Sequence, residues 1–393
     1  MYKRLLFDQL VPLLSHKNAL VITGMRQVGK STLMRQLYDE VSTNKLWFDL
    51  DNPLDCKTFE TEDYVGLYHY LTSRTNNPKD RLYLFLDEIQ NLPPITKIIK
   101  YLIDHYQVKF VVTGSSNFYL KNLFPESLSG RKFVFDLAPL SFTEFLYFRD
   151  YIPRPTHPPE LSNLFEISNP IETERRRTLY TEYLRYGGFP EVTTTPNLEL
   201  KSMVLKNIFK SFFEKDLQLL SDLSNTKELR DFILLLAPRV GSLLDISKLS
   251  LELGISRQKI YSYLEFLQGI YLIRLLPKFS RSVDRAVAGG TKLYFSDNGI
   301  LQTITTLNPG QILENAVINQ LFNYGTLSFY NYRNMQEIDC ILDQKYAFEI
   351  KATGDTHDLT RLNKLSTKLK LQDSTIISLK SLSIPHFLSP TLI

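Results

Sequence analysis

Cysteine is nearly absent from this chain of 393 residues: Cys56 and Cys340 are the only two. They stand far apart and without metal-ligand spacing, which argues against a disulfide framework and fits a reducing, cytoplasmic setting. No apolar run reaches the roughly 18 residues of a spanning helix, so no membrane partner is expected. The opening MYKRLLFDQLVPLL is too charged and too short for the apolar region of a signal peptide. No repeat period is visible. Charge of one sign is also lacking: the net value is +4, so charge alone does not demand a nucleic-acid partner, and local basic clusters must carry that argument. What is present is an ordinary globular composition, 43% hydrophobic and 22% charged, in a chain with room for two or three domains.

The most informative stretch is NALVITGMRQVGKSTLMRQL. An apolar β-like segment (Ala19-Leu20-Val21-Ile22) leads into Gly24-Met25-Arg26-Gln27-Val28-Gly29-Lys30-Ser31-Thr32. A helical pattern follows, with Leu33, Leu37 and Val41 four apart. The run fits G-x-x-x-x-G-K-[ST], the phosphate-binding loop. Glycines let backbone N–H groups curl around an anion, and the helix N-terminus behind them adds partial positive charge. ATP is therefore expected to contact Gly24, Arg26, Gln27, Val28, Gly29, Lys30, Ser31 and Thr32. Lys30 would reach the β- and γ-phosphates, and Ser31 would ligate Mg²⁺.

Three further strand-like runs deliver polar residues at their ends. KLWFDLD (45–51) ends in acids, and RLYLFLDEIQ (81–90) ends abruptly in Asp87 and Glu88. A buried parallel strand whose tip enters an active site reads this way. Asp87 would support the Mg²⁺ and Glu88 would polarise the attacking water; the alternative for Asp87 is a cap on the next helix. KFVVTGSSNFYL (109–120) places Ser115, Ser116 and Asn117 to bond the γ-phosphate or the water, or else to make a turn. Arg131 precedes a fifth strand, Lys132–Leu137, where it is either an arginine finger on a neighbouring subunit's nucleotide or a solvated surface residue. Five strands alternating with helices give a parallel α/β sheet over residues 1–150. No guanine-specific N-K-x-D run follows the carboxylates, which leans toward ATP.

The ordered set GMRQVGKST, LFLDEIQ, VVTGSSN and SGRKF…PLSFTEF resembles the AAA-type ATP-binding domain of a large prokaryotic family. That family pairs the domain with a C-terminal region of poorly assigned function. YLRYGGFPEV (183–192), FFEKDL (212–217) and KLYFSDNGIL (292–301) resemble it too, so the likeness spans most of the chain.

Four prolines in YIPRPTHPPE (151–160) break regular structure and mark a boundary. The middle region, 151–307, carries a helix ending near Gly187-Gly188 and an aromatic stripe (Phe209, Phe212, Phe213) that reads as core. Leu229–Ala237, Asp245–Leu253, a turn at Gly254 and a helix capped by Ser256 fit a helix-turn-helix. IYLIRLLPKF and KLYF supply two strands of a wing, and in the resembled family this region is similarly read as a winged helix. If it reads DNA, Arg257, Gln258, Lys259 and Ser262 face the groove, with Arg281 and Arg285 on phosphates. Winged helices also dock proteins, and this one carries Glu265 among few basic residues.

Residues 308–393 alternate a helix bearing Glu314, three strands, a helix and a further strand. Asp339 and Glu349-Ile350-Lys351 resemble the D…E-x-K core of restriction-endonuclease-like nucleases. Glu349 and Lys351 share a strand face. Two carboxylates would hold Mg²⁺ while Lys351 orients water, with Glu314 as an added ligand. The alternatives are a solvated ion pair or a binding platform on the same fold. The expectation is thus an AAA-type ATPase domain, a helical and winged-helix region and a restriction-endonuclease-like α/β domain. ATP hydrolysis with Mg²⁺ would act on DNA, or else drive a switch that docks a partner protein; a homo-oligomer is the expected assembly for a working Arg131.

Overall fold

The computed structural model describes residues 1–77, 80–114, 130–157, 160–165, 169–212, 226–282, 289–332, 336–380 and 384–393. The chain forms two compact units. The first is Met1–Ala138 with Gly269–Tyr271, the second Pro139–Gln268 with Leu272–Ile393.

The first unit is built on five parallel strands: β1 (Ala19–Thr23), β2 (Lys45–Asp49), β3 (Tyr83–Asp87), β4 (Lys109–Gly114) and β5 (Lys132–Asp136). Their order is β2-β3-β4-β1-β5. The helices are α1 (Leu5–Leu10), α2 (Lys30–Glu40), α3 (Pro53–Phe59), α4 (Tyr64–Ser73) and α5 (Ile95–Tyr106). β1 and β4 are buried along their whole length, which is why they read as continuous apolar runs rather than alternating ones. α5 turns Ile95, Ile98, Ile99, Leu102 and Ile103 inward, where they join Leu84, Leu86, Phe110 and Val112 of the sheet. Parallel register pairs Thr23 with Gly114 and with Asp136, and Asp49 with Asp87. The C-terminal tips of the strands therefore form one edge, from which the loop into α2 departs. The parallel α/β sheet expected for this part of the chain is what the structure shows.

The second unit starts with α6 (Phe142–Phe148), α7 (Pro170–Tyr186), α8 (Pro190–Thr194) and α9 (Leu198–Ser211). Next come α10 (Thr226–Leu236), α11 (Ile246–Leu253) and α12 (Arg257–Gly269), then an antiparallel ribbon of β6 (Ile273–Pro277) and β7 (Thr291–Phe295). Asp245 caps α11, and Gly254 ends it with φ +67°. After α13 (Asn298–Ile304) and α14 (Pro309–Leu321) comes a sheet ordered β12-β11-β10-β9-β8. Its strands are β8 (Leu327–Tyr332), β9 (Gln336–Leu342), β10 (Tyr346–Thr353), β11 (Asp373–Lys380) and β12 (Phe387–Leu388). β8, β9 and β10 are antiparallel neighbours. α15 (Thr356–Leu369) crosses over so that β11 pairs with β10 in parallel.

Two of the family-like stretches meet inside this unit. Asp297 caps α13 through the Ile300 N–H at 3.0 Å and also accepts the Gly188 N–H at 2.7 Å. A Cβ on Gly188 would lie 2.3 Å from the Leu140 carbonyl oxygen, so only glycine fits there. Among the described residues no helix is long and apolar enough to cross a membrane.

Candidate functional site

The tip of the first sheet is shaped by backbone. Gly24 has φ +142°, and a Cβ there would lie 2.2 Å from the Leu137 carbonyl oxygen; Gly29 has φ +97° at the N-terminus of α2. The loop between them passes close against β5's exit, a path closed to a side chain at Gly24. Lys30 is buried, and its ammonium donates to the Gly24 and Met25 carbonyls at 3.0 and 2.8 Å. From α1's approach, the buried Arg4 guanidinium donates to the Val28 carbonyl at 2.9 Å and the Ala138 carbonyl at 2.8 Å. It holds the loop from behind.

Beside the loop, Asp87 is 6% exposed. Its carboxylate accepts the Thr113 hydroxyl and is hydrogen-bonded to Ser31. Burial raises its pKa above the ordinary aspartate value. Glu88 and Asp49 push the same way, while the two hydroxyls pull it back. Asp87 thus faces the loop's Ser31 rather than capping the turn that follows. Glu88 sits in the left-handed region with φ +54°, its N–H donating to Thr113 Oγ1 at 3.1 Å and its carboxylate accepting the Gln90 amide. The donor set suits Mg-nucleotide: free backbone curvature, a lysine, and a hydroxyl joined to a buried carboxylate.

Two residues here escaped the sequence reading. Thr113, fully buried, binds both carboxylate-bearing residues at the tip; its one signal was a hydroxyl inside an otherwise apolar strand. Arg4 had none, being far from the loop in sequence. Ser115, Ser116 and Asn117 lie outside the described residues, as does Arg285. Arg131 stands before β5, which runs alongside β1 from Ala19 onward. That is the opposite end of the strands from the loop, on the order of 15 Å away. Its guanidinium pairs with Asp104 at 2.6 Å. It does not reach the loop of its own chain.

In the second unit, Arg257, Gln258 and Ser262 are exposed on α12, whereas Lys259 is tied to Glu228 at 2.5 Å. Arg281 donates to the Leu369 carbonyl at 3.0 Å. The expected basic face is therefore smaller than its residue list.

Glu314, Asp339, Glu349 and Lys351 do come together with partners that the sequence did not announce. Lys292 of β7 is 3% exposed, and its Nζ lies 2.5 Å from Glu337, 3.6 Å from Glu314 and 3.9 Å from Asp339. Tyr294 donates to Glu314 at 2.7 Å. Asp339 also accepts the Ile350 N–H at 2.8 Å. Glu349 pairs with Lys351 at 3.0 Å and Arg361 at 2.7 Å. Burial and the neighbouring Asp339 push Glu314 and Glu349 above the usual glutamate range. For Lys292 burial works against the charge, but Glu314, Asp339 and Glu337 outweigh it and raise the pKa. A cavity of about 600 Å³ opens alongside, lined in part by Asp339, Glu349, Lys351 and Arg361. Among the described residues no group of three His, Cys, Asp or Glu side chains is placed to hold a metal ion. The expected Mg²⁺ does not fit this donor set, because its carboxylates are already engaged by ammonium and guanidinium groups.

Residues 16–146 match the family described as an AAA domain. Two domains of unknown function match residues 177–311 and 309–386. An uncharacterised protein of Methanocaldococcus jannaschii, MJ1544, is 29% identical over 373 residues, covering 90% of this chain and 80% of that protein. An uncharacterised protein of Haemophilus influenzae is 27% identical over 370 residues, covering 89% and 87%. Among solved structures, Aeropyrum pernix ORC1 in complex with DNA is matched at 12% identity and a TM-score of 0.32, over 76% of this chain and 90% of that one. The Thermotoga maritima RuvB Holliday junction branch migration motor is matched at 15% and 0.32, over 70% and 90%.

Proposed function

We propose that the first unit binds and hydrolyses ATP in the manner of an AAA-type ATPase, with the AAA-domain match over residues 16–146 as family support. The observation that carries the reading is the buried Asp87 joined to Ser31 beside a glycine-shaped loop that holds Lys30. In this reading Lys30 turns from the loop carbonyls to the β- and γ-phosphates. Backbone N–H groups of residues 26–30 and the start of α2 hold the phosphate oxygens. Asp87 and Ser31 would hold Mg²⁺, which when bound neutralises charge on the phosphates. Glu88 orients and deprotonates the attacking water, and Thr113 keeps both carboxylate-bearing residues in place. A role for Arg131 is confined to a nucleotide held by a neighbouring copy. Phosphate release from Mg-ATP by wild type and Lys30→Ala tests the reading; equal turnover in both would remove it.

The second unit would couple that cycle to a partner. Three helices followed by an antiparallel ribbon support a winged-helix reading of residues 226–295. The helix–strand–strand–strand–helix–strand order of 309–380 supports a restriction-endonuclease-like fold, by analogy alone. DNA contact would run through Arg257 and Gln258. A second reading, a nucleotide-dependent switch that docks a protein, is favoured by the pairing of Lys259 with Glu228, which takes one cation off the candidate DNA face. Duplex binding that weakens with salt supports DNA; absence of retention at low salt supports the switch.

A further inference from the structure

We propose that Lys292 is the resident cation of the C-terminal carboxylate cluster, compensating Glu314, Glu337 and Asp339 in place of a divalent ion. The inference goes beyond the ATPase reading and does not rest on it.

Three carboxylates converge on one nitrogen from two elements, Glu314 from α14 and Glu337 and Asp339 from β9. The ammonium enters from a third element, β7, whose residues 292 and 294 share a strand face. Both reach Glu314, one by charge and the other through the tyrosine hydroxyl. The Lys292 stem is almost wholly covered, so its charge has little water to turn to and depends on these oxygens. The remaining acid of the D…E-x-K pattern, Glu349, is held by Lys351 and Arg361.

A divalent ion needs carboxylate oxygens at about 2.0–2.6 Å in a set of six or more, and several must be free to turn toward it. Here it would share the cluster with a buried ammonium and would have to strip Glu349 of two cations and Asp339 of a backbone N–H. An internal lysine supplies one positive charge permanently, without hydration and without an exchangeable position for a water nucleophile. The cluster then fastens the β6–β7 ribbon to the C-terminal sheet and does no hydrolytic chemistry.

The experiment is Mn²⁺ binding and thermal unfolding of the full chain without nucleotide. The proteins are wild type, Asp339→Asn, Lys292→Ala and the double variant Lys292→Ala/Asp339→Asn. Wild type and Asp339→Asn should take up Mn²⁺ alike, so that any binding near Asp87 cancels. Lys292→Ala should gain an Mn²⁺ site that the double variant lacks, and Mn²⁺ should raise its melting temperature more than the wild type's. Mn²⁺ uptake by wild type that disappears in Asp339→Asn overturns the proposal, as does a folded Lys292→Ala that gains no site. Should Lys292→Ala not fold, the first comparison decides alone: equal uptake supports the resident lysine and lost uptake refutes it.

Discussion

The two carboxylate sites differ in what meets the acid. At the tip of the first sheet Asp87 is met by hydroxyls, those of Thr113 and Ser31. In the C-terminal cluster Glu314, Glu337, Asp339 and Glu349 are met by ammonium or guanidinium groups. A hydroxyl satisfies a lone pair and leaves the charge uncompensated, so the site keeps its attraction for an incoming cation. An ammonium cancels the charge and the attraction with it. Similar residue lists, aspartate and glutamate beside lysine, therefore support opposite behaviour. Asp297 is a third case, a buried carboxylate met by backbone N–H groups at the cap of α13.

The largest expected effect would break the comparison on the C-terminal side. Lys292→Met leaves three carboxylates without their shared cation and should destabilise the protein by about 3–5 kcal/mol, the cost of breaking a buried pair. Denaturant unfolding measures it, and a change below about 1 kcal/mol would mean that the cluster is screened by water. Next, Lys30→Ala should lower Mg-ATP turnover by about 10²-fold or more while leaving unfolding nearly unchanged. The pairing of the two variants separates a functional lysine from a structural one. Arg4→Met should weaken nucleotide binding by about tenfold, about 1.4 kcal/mol, because the Val28 carbonyl loses its anchor; a fluorescent nucleotide titration reads this, and unchanged affinity would make Arg4 a packing residue only.

A pH slope from Asp297, spread over about two pH units, is the most gradual effect. Burial pushes its carboxyl up to about 6, although N–H groups of Gly188, Ile300 and Gly299 oppose the rise. A folded-state value above the unfolded one means that the native protein binds the proton more tightly. Stability from this group is therefore present below about pH 4 and is lost as pH rises toward 6, at no more than about 1.4 kcal/mol per unit. Subtracting the Asp297→Asn profile from the wild-type one isolates the slope, and a flat difference would show the carboxylate fully stabilised by its backbone donors.

Much of the first unit was legible because its signals are local. An apolar run that stops at Asp87-Glu88 becomes a buried strand with its carboxylates at the tip, and the glycine pattern around Lys30 becomes a loop that a Cβ would block. The helices and ribbon of 226–295 and the four strands within 327–380 also followed from periodicity and turn chemistry, whereas β12 did not. Partners were less legible. Lys259 looked free until Glu228, on another helix, came beside it. Arg131 reads in the sequence as either a finger on a neighbouring subunit's nucleotide or a solvated surface residue; parallel register puts it at the far end of the strands from its own loop, where it pairs with Asp104.

By itself the sequence determined the five strands of the first sheet, the helices and ribbon of 226–295, and where backbone must curl around an anion. Those properties depend on spacings of a few residues and on the conformations that glycine permits. Only the tertiary structure decided that Arg4 braces the loop, that Thr113 sits between Asp87 and Glu88, and that Lys292 stands among Glu314, Glu337 and Asp339. The physical reason is that charge compensation acts through space over a few ångströms, while these residues lie tens of positions apart along the chain.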